Sequence, residues 1–393
     1  MSSTLQKAAR TGMRVPQLDL QRQYIQIKGD VLAAIERVCA SQHFILGDEV
    51  EKLESEVSIF TGAGHAVGCA SGTDALWLAL AAAGVKPGDS VITTAFSFFA
   101  SASSIARCGA RPVFVDINPE TFNLEHTKVR SRLEAGGSFK VSTLLPVHLY
   151  GQCADMKSLG EIADEFKLAL IEDAAQAIGA EYHEHNAGSM GVAAAFSFYP
   201  TKNLSAFGDA GLAVSTDKEL AERMWRLRNH GSPRRYEHHE LGWNCRMDAI
   251  QAAVLRVKLK HVQKWNEQRR EHAKNYDRLL KATGLAGSKL GPSTAVILPK
   301  LVPGAVHVFH QYVIRAARRD ELRKFLAERN IGTEVYYPIP LHLQPAFSYL
   351  GYREGDLPQS ERASREVLAL PMFAELTADE QKYVVEEIAS FYS

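Results

Sequence analysis

Short, continuously apolar runs punctuate the first half of the chain: AVGCA (66–70), SVITTAF (90–96), RPVFVDI (111–117), VSTLLPVHL (141–149), LALIEDA (168–174) and AAAFSFY (193–199). They lack the polar/apolar alternation of a strand with one wet face, so both faces of each strand must be covered. Stretches of helical periodicity separate several of them, among them ALWLALAAAGV (75–85), SASSIARCG (101–109) and MKSLGEIADEF (156–166). Strand and helix in alternation, with strands of this kind, predict an α/β fold built on a large, mainly parallel sheet.

The flanks read differently. Residues 23–40 and 47–62 have helical spacing, the second closed by Gly62. After about residue 215 the texture turns helical, and 248–283 reads as one long helix. A smaller α/β segment follows: a strand-like HVFHQYVIRA (307–316), a helix ended by Gly332, a Pro-rich stretch VYYPIPLHLQPAF (335–347) and a last helix, DEQKYVVEEIASFY. The chain of 393 residues thus divides into a mobile tail (1–14), a large domain (15–250) and a smaller C-terminal domain (251–393) that begins with the long helix. Met13 is a second possible start.

Charge excludes whole classes of partner. Lys+Arg and Asp+Glu are both 45, so no global basic field exists to hold nucleic acid or an anionic membrane. No apolar run reaches transmembrane length, and the N-terminus has no secretory h-region. The five cysteines are widely spaced without a CxxC, which suits a reducing cytoplasm and argues against disulfides and zinc. HEH (183–185) and the HH of YEHHELG sit in polar loops without ligand spacing, so no metal site is expected. GAGHAV (62–67) imitates a dinucleotide loop, but it follows a helix and lacks the third Gly.

FSFYPTKNL (196–204) sets Lys202 among apolar and small neighbours. Either it snorkels to water, or burial lowers its pKa and makes it a nucleophile able to form Schiff bases. SGTDAL (71–76), between a strand and a helix, is either a capped helix start or a phosphate cradle using backbone N–H groups and the Thr73 hydroxyl. Asp173 of EDAAQ ends an apolar strand, where open α/β sheets bind ligands, with Gln176 close behind; a helix cap is the plainer alternative. Phe98 of TAFSFFAS either stacks on a planar ligand or packs in the core, and Asn244 and Arg246 of GWNCRMD form a turn and cap or a site loop. A cradle, an aromatic, an acid and an isolated lysine are together what pyridoxal 5'-phosphate requires.

Those residues sit in larger blocks: VPQLDL, FILGDEVEKLE, CASGTDAL, HLYGQCADM, IEDAAQAIGA, FSFYPTKNLSAFGDAG, GWNCRMDAIQAA and YYPIPLHLQ. With them the sequence resembles the fold-type I, PLP-dependent sugar-nucleotide aminotransferases of the DegT/StrS type, from about Val15 to the C-terminus. The resemblance implies that Lys202 binds the cofactor covalently and shuttles a proton, and that Asp173 pairs with the ring nitrogen. It implies Gln176 at the phenolic oxygen, Phe98 against the ring, and Gly72, Thr73 and Ser197 at the phosphate. Asn244 would reach that phosphate from the neighbouring subunit, hence a homodimer with shared active sites. Relatives with His in place of the lysine run dehydrations, so Lys202 favours transamination from L-glutamate to a nucleotide-linked keto-sugar. Residues 246–270 and 307–315 look more like enzymes acting at C3 of a 3-keto-6-deoxyhexose or a 3-keto-N-acetylhexosamine derivative. Tyr199, Tyr336, Tyr337 and His342 are the expected substrate contacts, although many C3 relatives have His where Tyr336 stands. The alternatives are a C4 aminotransferase on a 4-keto-6-deoxy sugar and a non-catalytic PLP-binding regulator.

Overall fold

The computed structural model describes residues 13–136, 140–291 and 294–393; most of the expected N-terminal tail lies outside them. Strands β1 (His65–Cys69), β2 (Asp89–Thr94), β3 (Arg111–Val115), β4 (Lys140–Leu145), β5 (Ala169–Asp173), β6 (Ala193–Ser197) and β7 (Gly211–Ser215) form one sheet in the order β1-β7-β6-β5-β4-β2-β3. Neighbours among β2 to β6 run parallel, whereas β7 pairs antiparallel with both β1 and β6. The continuous apolar runs are buried as expected: β2 and β7 are buried at every residue. In VSTLLPVHL the strand stops at Leu145, because Pro146 has no N–H to donate to the ladder.

Helices cover this sheet: α1 (Leu20–Ser41), α2 (Asp48–Thr61), α3 (Gly72–Ala82), α4 (Ala100–Arg107), α5 (His126–Glu134), α6 (Met156–Phe166), α7 (Lys218–Leu227) and α8 (Ala249–Leu259). Helix α3 is apolar on nearly every side and is buried between the sheet and its neighbours. The single long helix expected over 248–283 is in fact two, α8 and α9 (Val262–Ala282), broken at Lys260–His261. Helix α8 packs its apolar face on α1 and α2, with Val31, Val38, Ala253 and Val254 in one cluster. Helix α9 instead turns Ala273, Tyr276 and Leu280 into a second core.

That second core belongs to the smaller α/β unit. Strands β8 (Val296–Ile297), β9 (Tyr312–Ala316) and β10 (Val367–Leu370) form an antiparallel sheet, and α10 (Arg319–Ala327), α11 (Pro358–Glu366) and α12 (Ala378–Tyr392) accompany it. Only Tyr312–Ala316 of the strand-like 307–316 is strand. Val15 also packs here, in a parallel bridge to Ile331. Phe96, Phe122 and Tyr150 from the large sheet's rim join the same core, so both units wall the space beyond the carboxyl ends of the parallel strands.

Candidate active site

That space is a cleft of about 700 Å³. The strand ends and loops of the large sheet supply Gly72, Thr73, Phe98, Asp173, Gln176, Ser197, Tyr199 and Lys202 to its lining, and the smaller unit supplies Tyr336 and Tyr337. Ten sequence-predicted residues therefore meet in one place.

The cradle comes first in the chain. Ser71 caps α3 by accepting from the Asp74 N–H (3.1 Å) and donating to its carboxylate (2.9 Å). The first N–H groups of the helix, at Gly72 and Thr73, have no intrahelical partner and begin at the cleft. A Cβ on Gly72 would stand 2.5 Å from Cβ of Ser197, so only glycine lets these backbones approach. A hydroxyl-rich helix start without room for a side chain fits a phosphate.

Asp173 ends β5 and is buried. Its Oδ2 accepts from the Ser101 hydroxyl at 2.7 Å, and Ser101 in turn meets Ser97 at 2.9 Å. Its Oδ1 accepts from the Ala175 N–H at 3.2 Å. Burial pushes the carboxyl up, while Ser101, Ala175 and the nearby Lys202 oppose that. Lys202 is half-buried in a loop whose turn is closed by its own N–H on the Tyr199 carbonyl (2.8 Å). Desolvation brings its amine down to about 8, with Asp173 pulling the other way. An amine so poised is a usable nucleophile and base near neutrality.

The remaining wall is aromatic and amide. Gln176 donates to the Tyr337 hydroxyl (3.0 Å) and accepts from the Tyr150 N–H (2.7 Å). Tyr150 donates its hydroxyl to the Tyr336 carbonyl. The Phe98 ring is exposed and lies 6.2 Å from that of Tyr337. A planar ring with a phosphate arm and an acid-seeking nitrogen fits these donors and walls.

Two predicted residues are elsewhere. His342 is buried away from the cleft, with its Nε2 3.1 Å from Glu361 of α11. The turn after Pro340 aims the ring inward, where Glu361 compensates its polarity. Asn244 is exposed on its loop, outside the cleft of its own chain. Sequence reasoning missed Ser101, His148 and His310. Ser101 lies inside the TAFSFFAS stretch but carries no spacing signal. His148 lies behind the strand end, where Glu172 takes its Nε2 at 2.8 Å and three backbone N–H groups besides. Among the described residues no group of His, Cys, Asp and Glu is arranged for a metal. Nor is any described helix long and apolar enough to cross a membrane.

The sequence pattern of the DegT/DnrJ/EryC1/StrS aminotransferases matches residues 25–389. The chain belongs to that family. It is 53% identical to the "Pleiotropic regulatory protein" of Geobacillus stearothermophilus, over 97% of this chain and 99% of the relative. It is 42% identical to the dTDP-3-amino-3,4,6-trideoxy-alpha-D-glucose transaminase of Streptomyces venezuelae, over 95% of each chain. Among solved structures it is similar to NtdA of Bacillus subtilis with bound cofactor PMP: 31% identity, TM-score 0.85, 96% of this chain and 85% of that one. The enzyme is a PLP-dependent sugar-nucleotide aminotransferase of fold type I, and the cleft's donor set suits that cofactor.

Proposed function

We propose that the enzyme moves the amino group of L-glutamate to C3 of a nucleoside-diphosphate-linked 3-keto-6-deoxyhexose, or of a 3-keto-N-acetylhexosamine derivative. The observation that carries the reading is the meeting of Lys202, Asp173, Gln176 and the Gly72–Thr73–Ser197 cradle in one cleft. The choice of C3 leans on the similarity to a transaminase named for a 3-amino sugar. Bound PLP supplies an electron sink for the carbanion at the donor's α-carbon. Lys202 holds the cofactor covalently and then moves a proton to and from that carbon. Asp173, aligned by Ser101 and the Ala175 N–H, keeps a proton on the ring nitrogen. Gln176 would meet the phenolic oxygen, and the α3 start with Thr73 and Ser197 would hold the phosphate. Tyr199 and Tyr336, at the cleft mouth, orient the sugar.

We place the enzyme in the cytoplasm as a homodimer, with Asn244 completing the partner's phosphate site. Its exposure, next to the exposed Trp243, supports an interface there, and the five free thiols suit a reducing compartment. Mixing inactive Lys202→Ala and Asn244→Ala subunits should restore part of the activity; full activity in a demonstrated monomer refutes the shared site.

The deciding experiment is turnover of a panel of 3-keto and 4-keto sugar nucleotides with L-glutamate, the product's regiochemistry read by NMR. A 3-amino product is expected. A 4-amino product alone overturns C3 and leaves the aminotransferase standing. The name of the regulatory relative supports a second reading, a PLP-binding regulator without turnover. A spectral change of the holoenzyme on adding L-glutamate argues against it.

A further inference from the structure

Buried amides link the lysine loop to His310, another residue that lines the cleft. Asn203 donates from Nδ2 to the Val308 carbonyl (3.1 Å) and to Asn266 Oδ1 (2.8 Å). Asn266 donates from its own Nδ2 to the Ile178 carbonyl (2.9 Å). The two backbone carbonyls can only accept, so neither amide can be turned round. Asn203 Oδ1 is therefore an acceptor. His310 Nδ1 lies 3.2 Å from it and must carry a hydrogen. The other ring nitrogen, Nε2, is then free of hydrogen unless the ring is charged.

The surroundings keep the ring uncharged. Burial disfavours the imidazolium, and the facing cations Lys202 and Arg269, with His307, push in the same direction. The Arg269 guanidinium donates to the carbonyls of Phe309 and His310 themselves (3.1 and 3.3 Å). His307 shows that the setting is local: its Nδ1 accepts from the Phe309 N–H at 2.8 Å, so its hydrogen sits on Nε2.

His310 lines both the cleft and an adjoining groove bordered by Gln17, Arg22 and Gln311. Among the described residues no donor meets its Nε2, which is nevertheless not sealed in the core. A bare, uncharged ring nitrogen repels phosphate and carboxylate oxygens and accepts from O–H or N–H. We propose that His310 determines sugar specificity, its Nε2 accepting a hydrogen bond from a hydroxyl of the amino-accepting sugar nucleotide; this rests on the sugar-nucleotide aminotransferase reading above.

Two measurements test it. In ¹⁵N-histidine-labelled holoenzyme, His310 should show a protonated Nδ1 and an unprotonated Nε2 throughout pH 6 to 8. Hydrogen on Nε2, or titration in that range, overturns the proposal whatever the enzyme's substrate. His310→Asn keeps an N–H donor for Asn203, while its shorter side chain leaves no acceptor at the position of Nε2. It should lose about tenfold or more in kcat/KM for the sugar half-reaction relative to the glutamate half-reaction, both followed by the cofactor spectrum. Equal losses in both halves would mean a structural role and overturn it. A shifted pH profile for cofactor capture would make Lys202 the donor to Nε2 and overturn it too. Should no keto-sugar of the panel react, the aminotransferase reading falls and takes the assigned ligand with it, while the tautomer is still decided by the spectrum.

Discussion

Two lysines of this enzyme have their amines lowered to about 8, both chiefly by desolvation, yet they occupy different regions. Lys202 stands in the cleft, half-buried, with Asp173 opposing its loss of charge and room for a ligand beside it. Lys258 lies on α8 beneath the same loop, 3% exposed, its Nζ on the Ser205 hydroxyl at 2.5 Å and 5.6 Å from the Phe207 ring. A depressed pKa therefore does not by itself mark a reactive lysine. What separates the two is access: one amine faces a cavity lined with cofactor-shaped donors, the other faces side chains only.

The largest expected effect breaks the symmetry outright. Lys202→Ala should abolish covalent cofactor capture, read as loss of the borohydride-reducible bond, and lower turnover by at least roughly a thousandfold. Lys258→Met should remain yellow and reducible. A reducible bond surviving in Lys202→Ala would reverse the assignment.

A second pair sharpens the point on one strand. Glu172 and Asp173 are adjacent at the end of β5, so their side chains leave on opposite faces. Glu172 points inward and is saturated by His148 and the N–H groups of Gly188, Met190 and Gly191. Asp173 faces the cleft. Asp173→Asn should keep the cofactor but slow turnover by roughly two to three orders of magnitude, since an amide cannot hold the ring nitrogen protonated. Glu172→Gln should instead cost about 3 kcal/mol or more in denaturant unfolding, because its new NH₂ faces donors. Equal catalytic losses in the two variants would erase the distinction.

These pairs explain what the sequence could and could not reveal. The apolar strands, the cradle and Asp173 were legible because chain order alone puts strand ends and helix starts on one edge of a parallel sheet. Lys202 was legible from its apolar neighbours. His342 was not: its loop is apolar and Pro-rich, with no local acid to mark the ring as a core group, and only the fold brings Glu361 within 3.1 Å. Ser101 and His310 were equally hidden, since each is oriented by a partner more than seventy residues away in the chain. The break between α8 and α9 was invisible because helical periodicity runs through Lys260 and His261, and only the two cores they serve pull the halves apart.

A smaller effect concerns the cleft amine before the cofactor arrives. With Lys202 as the proposed capturing amine, PLP is taken up by its uncharged form. The rate of capture should rise about tenfold per pH unit below pH 8 and level off above it, rather than climbing to the ordinary 10.5. A profile still rising at pH 10 would mean that the open cleft hydrates Lys202 enough to cancel the wall's effect.

The smallest effect tests the core lysine. Lys258 is pushed down from 10.5 to about 8 on folding. Below pH 8 it is charged in both states, and burying the charge then costs on the order of 3 kcal/mol. Between about 8 and 10.5 the unfolded chain binds the extra proton, so wild-type stability should rise with pH, and the cost is gone above 10.5. Lys258→Met removes the charge and keeps the stem's volume, but it leaves Ser205 without its donor and takes one cation from Glu375, which keeps Arg269 and Arg22 nearby. Those losses offset about 1–2 kcal/mol of the relief. The variant should therefore be about 1–2 kcal/mol more stable than the wild type at pH 7 in urea unfolding, and the gap should close or reverse by pH 10.5. A variant less stable than the wild type at pH 7 would mean that the Ser205 and Glu375 contacts outweigh desolvation, and that Lys258 is held charged in the core.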